Sequence, residues 1–240
     1  MDSTRSGDPV EGHTLRSVDQ ALADLRLRTL VLGSLVMDQV DAAASALLTG
    51  ERDAAEKVLA REPRVNELTR QIDHRAFEAI ALRQLVAVDL RLARAISRIV
   101  VDLERAGDEC KKLARIALRQ HPSYSAGPLT GVAAQLRRMA DLAGAMLRNA
   151  LLGLDEAALE PAAAVAAQDR ELDREFSAAL HLLLARASAD AAELSATIDA
   201  VFAAKSLERI GDHAKNMAEQ VESYLVGDPP ESPLASLEPL

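Results

Sequence analysis

The chain spells LERAGDECKKLA at residues 103–114 and LERIGDHAKNMA at 207–218. The copies lie 104 residues apart and share Leu, Glu, Arg, Gly, Asp, Lys and Ala at seven of twelve positions. A repeat in register over that distance means the fold is built twice, with one special position per unit. The shared residues are a poor choice for an isolated helix. Glu104 with Asp108, and Glu208 with Asp212, set like charges four residues apart, which costs roughly 0.2–0.5 kcal/mol per pair. Gly107 and Gly211 each cost about 1 kcal/mol relative to Ala in a helix interior. A choice that is unfavourable twice calls for a compensation near each copy.

The segments around the repeats have helical periodicity. Val18, Leu22, Leu25, Leu32, Val36, Val40, Ala43 and Leu47 fall at intervals of three, four or seven and form one apolar stripe. Thr49 and Gly50 break that first helix, and Pro63 suits the first turn of a second helix, over 63–86. A third helix, 89–119, has Ile96, Ile99, Val100, Leu103, Cys110, Leu113 and Ala117 on one face. The Pro, Ser and Gly of residues 121–128 read as a linker, after which the pattern restarts. Helices are expected at 129–153, with Val132, Leu136, Met139, Leu142, Met146 and Leu147 inward, and at 162–187 and 190–226. The expected architecture is all-α, two tandem, internally duplicated three-helix bundles at 15–120 and 129–226. A disordered N-terminus, 1–14, and a flexible tail, 227–240, flank them.

Composition narrows the function classes. Of 240 residues 49% are hydrophobic but only 2% aromatic, so Leu, Ala, Val and Ile must fill the core, a palette suited to close helix packing. A net charge of -9 with few aromatics argues against a nucleic-acid partner. The single cysteine, Cys110, has no internal partner, and the N-terminus lacks the apolar core of a signal peptide. The longest uncharged apolar run, residues 29–37, is about half of a membrane span. A cytoplasmic protein, reaching a membrane only through partners, is the expectation.

Two compensations for the repeated acids are open. One is ion pairing with Lys111 and Lys215, three residues beyond Asp108 and Asp212, with Arg105 and Arg209 nearby. The other is a hard or borderline cation held by carboxylates of adjacent helices, the glycines giving room for close approach. The second helix of each half adds Asp169 and Asp173 in one case and Glu62 and Asn66 in the other. Glu62, beside Pro63, also suits a helix N-terminus. Asp89 suits the first turn of the third helix, His213 reads as a surface histidine, and Cys110 as a buried, inert thiol. No Glu-x-x-His pair occurs, which argues against a di-iron carboxylate enzyme, and no GxxxxGK(S/T) loop is present.

The doubled LER(A/I)GD..K..A, the run VAVDLRLARAISRIVVDLERAGD at 86–108 and the three-plus-three helices resemble the PhoU family over roughly residues 15–226. The resemblance implies a non-enzymatic adaptor carrying an E(D)xxxD motif in each bundle, which in some members binds a multinuclear metal cluster. By position, Glu104 and Asp108 would serve the first bundle, with Glu62 and Asn66 as weaker ligands. Asp169, Asp173, Glu208 and Asp212 would serve the second. The metal would be Fe, Zn, Mn or Mg. This chain departs from the family at Asn66 and Thr69, where relatives often place acids. The resemblance further implies negative regulation of phosphate uptake and of phosphate-starvation signalling. The implied partners are the ATPase of the phosphate ABC transporter and a sensor histidine kinase, with a homodimer as the expected assembly. The competing expectation is a carboxylate-rich metal-binding or dimer scaffold with no phosphate role.

Overall fold

A computed structural model describes residues 9–82, 85, 87–119, 128–186 and 191–227. The described residues form six α-helices: α1 (Pro9–Thr49), α2 (Arg52–Leu82), α3 (Ala87–Arg119), α4 (Pro128–Glu156), α5 (Leu159–Arg186) and α6 (Ala191–Val226). The first three pack on one another, as do the last three, and the halves join where α3 meets α6 and α1 meets α4. All eight residues of the stripe read for the first helix are buried, as are all seven read for the third. Leu, Ala, Val, Ile and Met fill the core. The three phenylalanines lie outside it: Phe77 and Phe202 are exposed and Phe176 is partly buried.

Several boundaries differ from the periodicity. α1 begins at Pro9, so residues 9–14, expected to be disordered, are helical. Gly50 has φ 76° and its N–H donates to the Ala46 carbonyl at 2.9 Å, a left-handed stop that glycine adopts without steric cost. α2 then starts at Arg52, and Pro63 lies in its interior rather than its first turn. A proline there removes one backbone hydrogen bond and costs about 3 kcal/mol. It is tolerated because Pro63 is on the exposed face, while Ala55, Val58, Val65, Leu68 and Ile72 carry a continuous buried stripe past it. Glu62 is therefore a mid-helix residue, not an N-terminal one. α4 runs through Gly153 to Glu156, and the turn falls at Ala157, with φ 51°. The expected linker, apart from Pro128 at the start of α4, and residues 228–240 of the expected tail lie outside the described residues.

The apolar character of α1 is absorbed by the fold. Val18–Thr49 is long and apolar enough to cross a membrane, and half of its apolar window is buried against the other helices. At the α1–α4 crossing a Cβ on Gly33 would lie 2.5 Å from Leu151 Cδ1, so a larger residue here would force the buried Leu151 side chain to move.

Candidate functional site

In the first half the predicted acids converge on one lysine. α2 carries Glu62 and Asn66, α3 carries Glu104 and Asp108, and the ammonium of Lys111 donates to Glu62 Oε1 and to Asp108 Oδ1, each at 2.6 Å. The Asn66 amide donates to the same Glu62 oxygen at 3.4 Å. Burial works against the Lys111 charge, but the hydrogen bonds it donates to Asp108 and Glu62 outweigh that cost and hold its pKa above the ordinary lysine value. Glu104 is pushed up from the ordinary carboxylate value by burial and then by Asp108, against the pull of Lys111 and Arg105. The ion-pair compensation is thus realised here, and it reaches across helices as well as along one.

The second half solves the same problem differently. Lys215 does not pair with Asp212 three residues away; it donates to Asp169 Oδ2 of α5 at 2.6 Å. That hydrogen bond raises its pKa against the cost of burial, with Glu219 and Asp173 adding smaller electrostatic support. Glu208 takes its own cation, Lys205, at 2.5 Å, and the Lys205 ammonium also lies 5.5 Å from the centre of the Phe176 ring. Asp173 and Asp212 are exposed.

The glycines do not make room for a cation. A Cβ on Gly107 would meet Gln39 Oε1 at 3.3 Å and Val65 at 3.5 Å, and one on Gly211 would meet Leu172 Cδ2 at 2.1 Å. Both face the core, and their role is close packing of helices. Among the described residues no three His, Cys, Asp or Glu side chains are arranged to hold a metal ion. In the first half the donors as placed suit an ammonium, and a metal ion would reach the bonded Glu62 and Asp108 oxygens only after Lys111 withdrew.

Sequence reading missed the polar seam between the halves. Asp102 and Glu109 of α3 are buried. Asp102 Oδ1 lies 3.0 Å from His213 Nδ1 and accepts from Asn216 at 3.3 Å; Glu109 pairs with Lys112 at 2.8 Å and with Arg209 of α6 at 3.0 Å. His213 is therefore a buried interface residue, not a surface one, and its Nε2 has no partner among the described residues. The signal was in the repeat: an offset of 104 residues pairs Asp102 with Ser206 and Glu109 with His213, two mismatches seven residues apart on one face. Cys110 is buried as expected, and burial pushes its thiol up, away from the reactive thiolate. Asp89 lies in the first turn of α3.

Two helical halves that repeat an acidic motif, joined by a polar seam, define a class of all-α proteins in which a duplicated bundle presents charged surfaces. The PhoU domain family matches residues 29–117 and 136–221. The phosphate-specific transport system accessory protein PhoU homolog of Pseudomonas aeruginosa is 36% identical over 219 residues, covering 91% of this chain and 89% of its own length. The homolog of the same name in Caulobacter vibrioides is 34% identical over 216 residues, covering 90% of this chain and 93% of its own. A crystal structure of PhoU from Pseudomonas aeruginosa superposes with a TM-score of 0.81 at 34% identity, covering 88% of this chain and 99% of that one. The chain belongs to the PhoU family.

Proposed function

We propose that this chain is a cytoplasmic negative regulator of phosphate uptake and phosphate-starvation signalling, working by binding rather than by catalysis. The observation that carries the reading is the match, over about nine-tenths of the chain, to relatives named as phosphate-specific transport system accessory proteins. In this reading the chain, as a homodimer, links the transporter ATPase to a sensor histidine kinase, so that transporter conformation biases kinase output. The mixed-charge helical surfaces support a protein-contact role, since a shaped charged surface is sufficient for recognition. The acidic motifs add a second part: a hard divalent cation, held by Glu62, Glu104 and Asp108 in one half and by Asp169, Asp173, Glu208 and Asp212 in the other, competes with Lys111 for Glu62 and Asp108, with Lys215 for Asp169 and with Lys205 for Glu208.

The test is a phosphate-starvation reporter in phosphate-rich medium, read in the parent strain, a deletion of this gene and the complemented deletion. De-repression on deletion and silencing on complementation are expected. A reporter that stays silent in all three strains removes the regulatory reading. For the metal, calorimetric titration with Mn2+ is expected to show tighter binding to Lys111→Met than to the parent, and equal or absent binding in both would count against competition.

A further inference from the structure

The outer edge of the α3–α6 seam carries a series of cations that the acidic motifs do not explain. Arg91, Arg98, Arg105, Lys112 and Arg119 recur every seven residues along α3 in a chain of net charge -9. The ends of the series are committed to α6: Arg91 donates to the Tyr224 carbonyl at 3.3 Å and Arg119 pairs with Asp199 at 2.6 Å. The middle is open. Arg98 and Arg105 are exposed and make no ion pair with a described residue. Lys112 shares the buried Glu109 with Arg209, and both cations keep about half of their side-chain surface in solvent. Arg209 is the repeat counterpart of Arg105, and it reaches α3 at Glu109, four residues beyond Arg105.

The strip is narrow. Arg98 to Lys112 spans about 21 Å of helix at 1.5 Å per residue. Glu104 and Asp108 border it on the α2 side, where they meet Glu62 and Lys111. Duplex nucleic acid or an anionic bilayer, broad and uniformly negative, would meet those acids along with the arginines. A single helix would not. Exposed Val101 on α3 and Phe202 on α6 add apolar contacts beside the cations. A seven-residue repeat of charge is also the interval at which a helix laid along another presents one side chain after the next.

We propose that the outer face of the α3–α6 seam, lined by Arg98, Arg105, Lys112 and Arg209, docks one acidic amphipathic helix of a partner protein, with Asp or Glu about every seven residues beside apolar residues that cover Val101 and Phe202. This gives the adaptor a partner of stated chemistry and rests on that reading. Charge complementarity of this kind sets specificity and encounter rate, and the flanking acids reject the wrong polyanion.

The test uses the full chain and a synthetic four-heptad helical peptide with Glu at one position of every heptad and Leu beside it. A second peptide of equal composition has its glutamates scattered. The heptad peptide is expected to bind the parent at least about tenfold more tightly than the scattered one. It should bind the Arg98→Glu/Arg105→Glu variant at least about tenfold more weakly than the parent, and raised salt should weaken it further. A matched melting temperature confirms that the variant is folded, and Arg98→Gln gives a milder step of the same sign if it is not. Equal binding to parent and variant overturns the proposal, as does equal binding of the two peptides, or tighter binding to duplex DNA or phosphatidylglycerol vesicles. The reporter is read independently: silencing by the complementing gene with no peptide discrimination leaves the regulator standing and removes this docking face.

Discussion

The two halves carry the same acidic motif and neutralise it in different ways. In the first, Lys111 gathers Glu62 and Asp108 into one cluster while Glu104 stays under-compensated beside it. In the second, Lys215 goes to Asp169 and Lys205 to Glu208, leaving Asp173 and Asp212 in solvent. Conservation of a motif within one chain therefore does not mean conservation of its electrostatics. Where a neighbouring helix offers Glu62 and Asn66 rather than Asp169 and Asp173, the same lysine position becomes a hub in one half and one end of a simple pair in the other.

The comparison breaks most visibly at the seam, where the repeats differ. Asp102→Ala leaves the buried His213 Nδ1 without its partner and also removes the acceptor of the more exposed Asn216 amide, and should cost about 1–3 kcal/mol in urea unfolding. Ser206→Ala, at the repeat-equivalent and equally buried position, removes a neutral hydroxyl rather than the acceptor of a histidine and an amide, and should cost less than Asp102→Ala. Equal losses would mean that Asp102 is no more important to the seam than its counterpart.

The motif glycines sharpen the contrast next. At Gly107 a new methyl would sit 3.3 Å from Oε1 of the buried Gln39, whose amide is tied to the Val58 carbonyl, so the small shift this needs offsets part of the helix-propensity gain of about 1 kcal/mol and Gly107→Ala should be neutral to mildly stabilising. At Gly211 the methyl would fall 2.1 Å from Leu172, which is fully buried and can yield only by disturbing the core. Overpacking costs about 1–3 kcal/mol, enough to cancel or reverse the same gain, so Gly211→Ala should be neutral to destabilising. Chemical denaturation of both variants reads the sign.

Much of this fold was legible because helix periodicity is a short-range signal: each inward residue named for the first and third helices is buried. The error at Pro63 came from treating a local preference as decisive where the long buried stripe of α2 outweighed it. The acidic residues were legible as a set, since Glu62, Asn66, Glu104 and Asp108 do meet in the first half. Which lysine served which acid was not, because Lys215 had candidates on two helices and only the packing of α5 on α6 decides between them. His213 was misread for a related reason. A histidine beside a motif aspartate looks like surface chemistry until α3 is known to place Asp102 opposite it.

Removing the lysines separates hub from pair. Lys111→Met leaves Glu62, Glu104 and Asp108 without their shared cation and should lower stability by about 1 kcal/mol at low salt. Lys215→Met should cost only a few tenths, since that ammonium is half exposed. Thermal melts at low and high salt check both numbers, and the difference between the variants should shrink as screening rises.

The smallest effect tests the sign of a single charge. Glu104 has its pKa raised in the folded chain, first by burial and then by Asp108, so the native state holds that proton more tightly than the unfolded state does. Stability from this group is then greatest below the ordinary carboxylate range and falls as pH rises through the raised value, the reverse of an acid held by a salt bridge. At neutral pH an ionised Glu104 is a net cost, discounted to less than about 1 kcal/mol because the side chain is partly exposed. Glu104→Gln should therefore stabilise the protein at pH 7, with the gain fading as pH falls through the carboxylate range. Glu208→Gln weakens a charged hydrogen bond to Lys205 and should act in the opposite direction at pH 7, by a similar amount. Opposite signs at identical motif positions would show that the halves differ in electrostatic plan as well as in lysine geometry. If both variants move stability the same way, the two motifs work alike and the contrast drawn from Lys111 and Lys215 is confined to the lysines themselves.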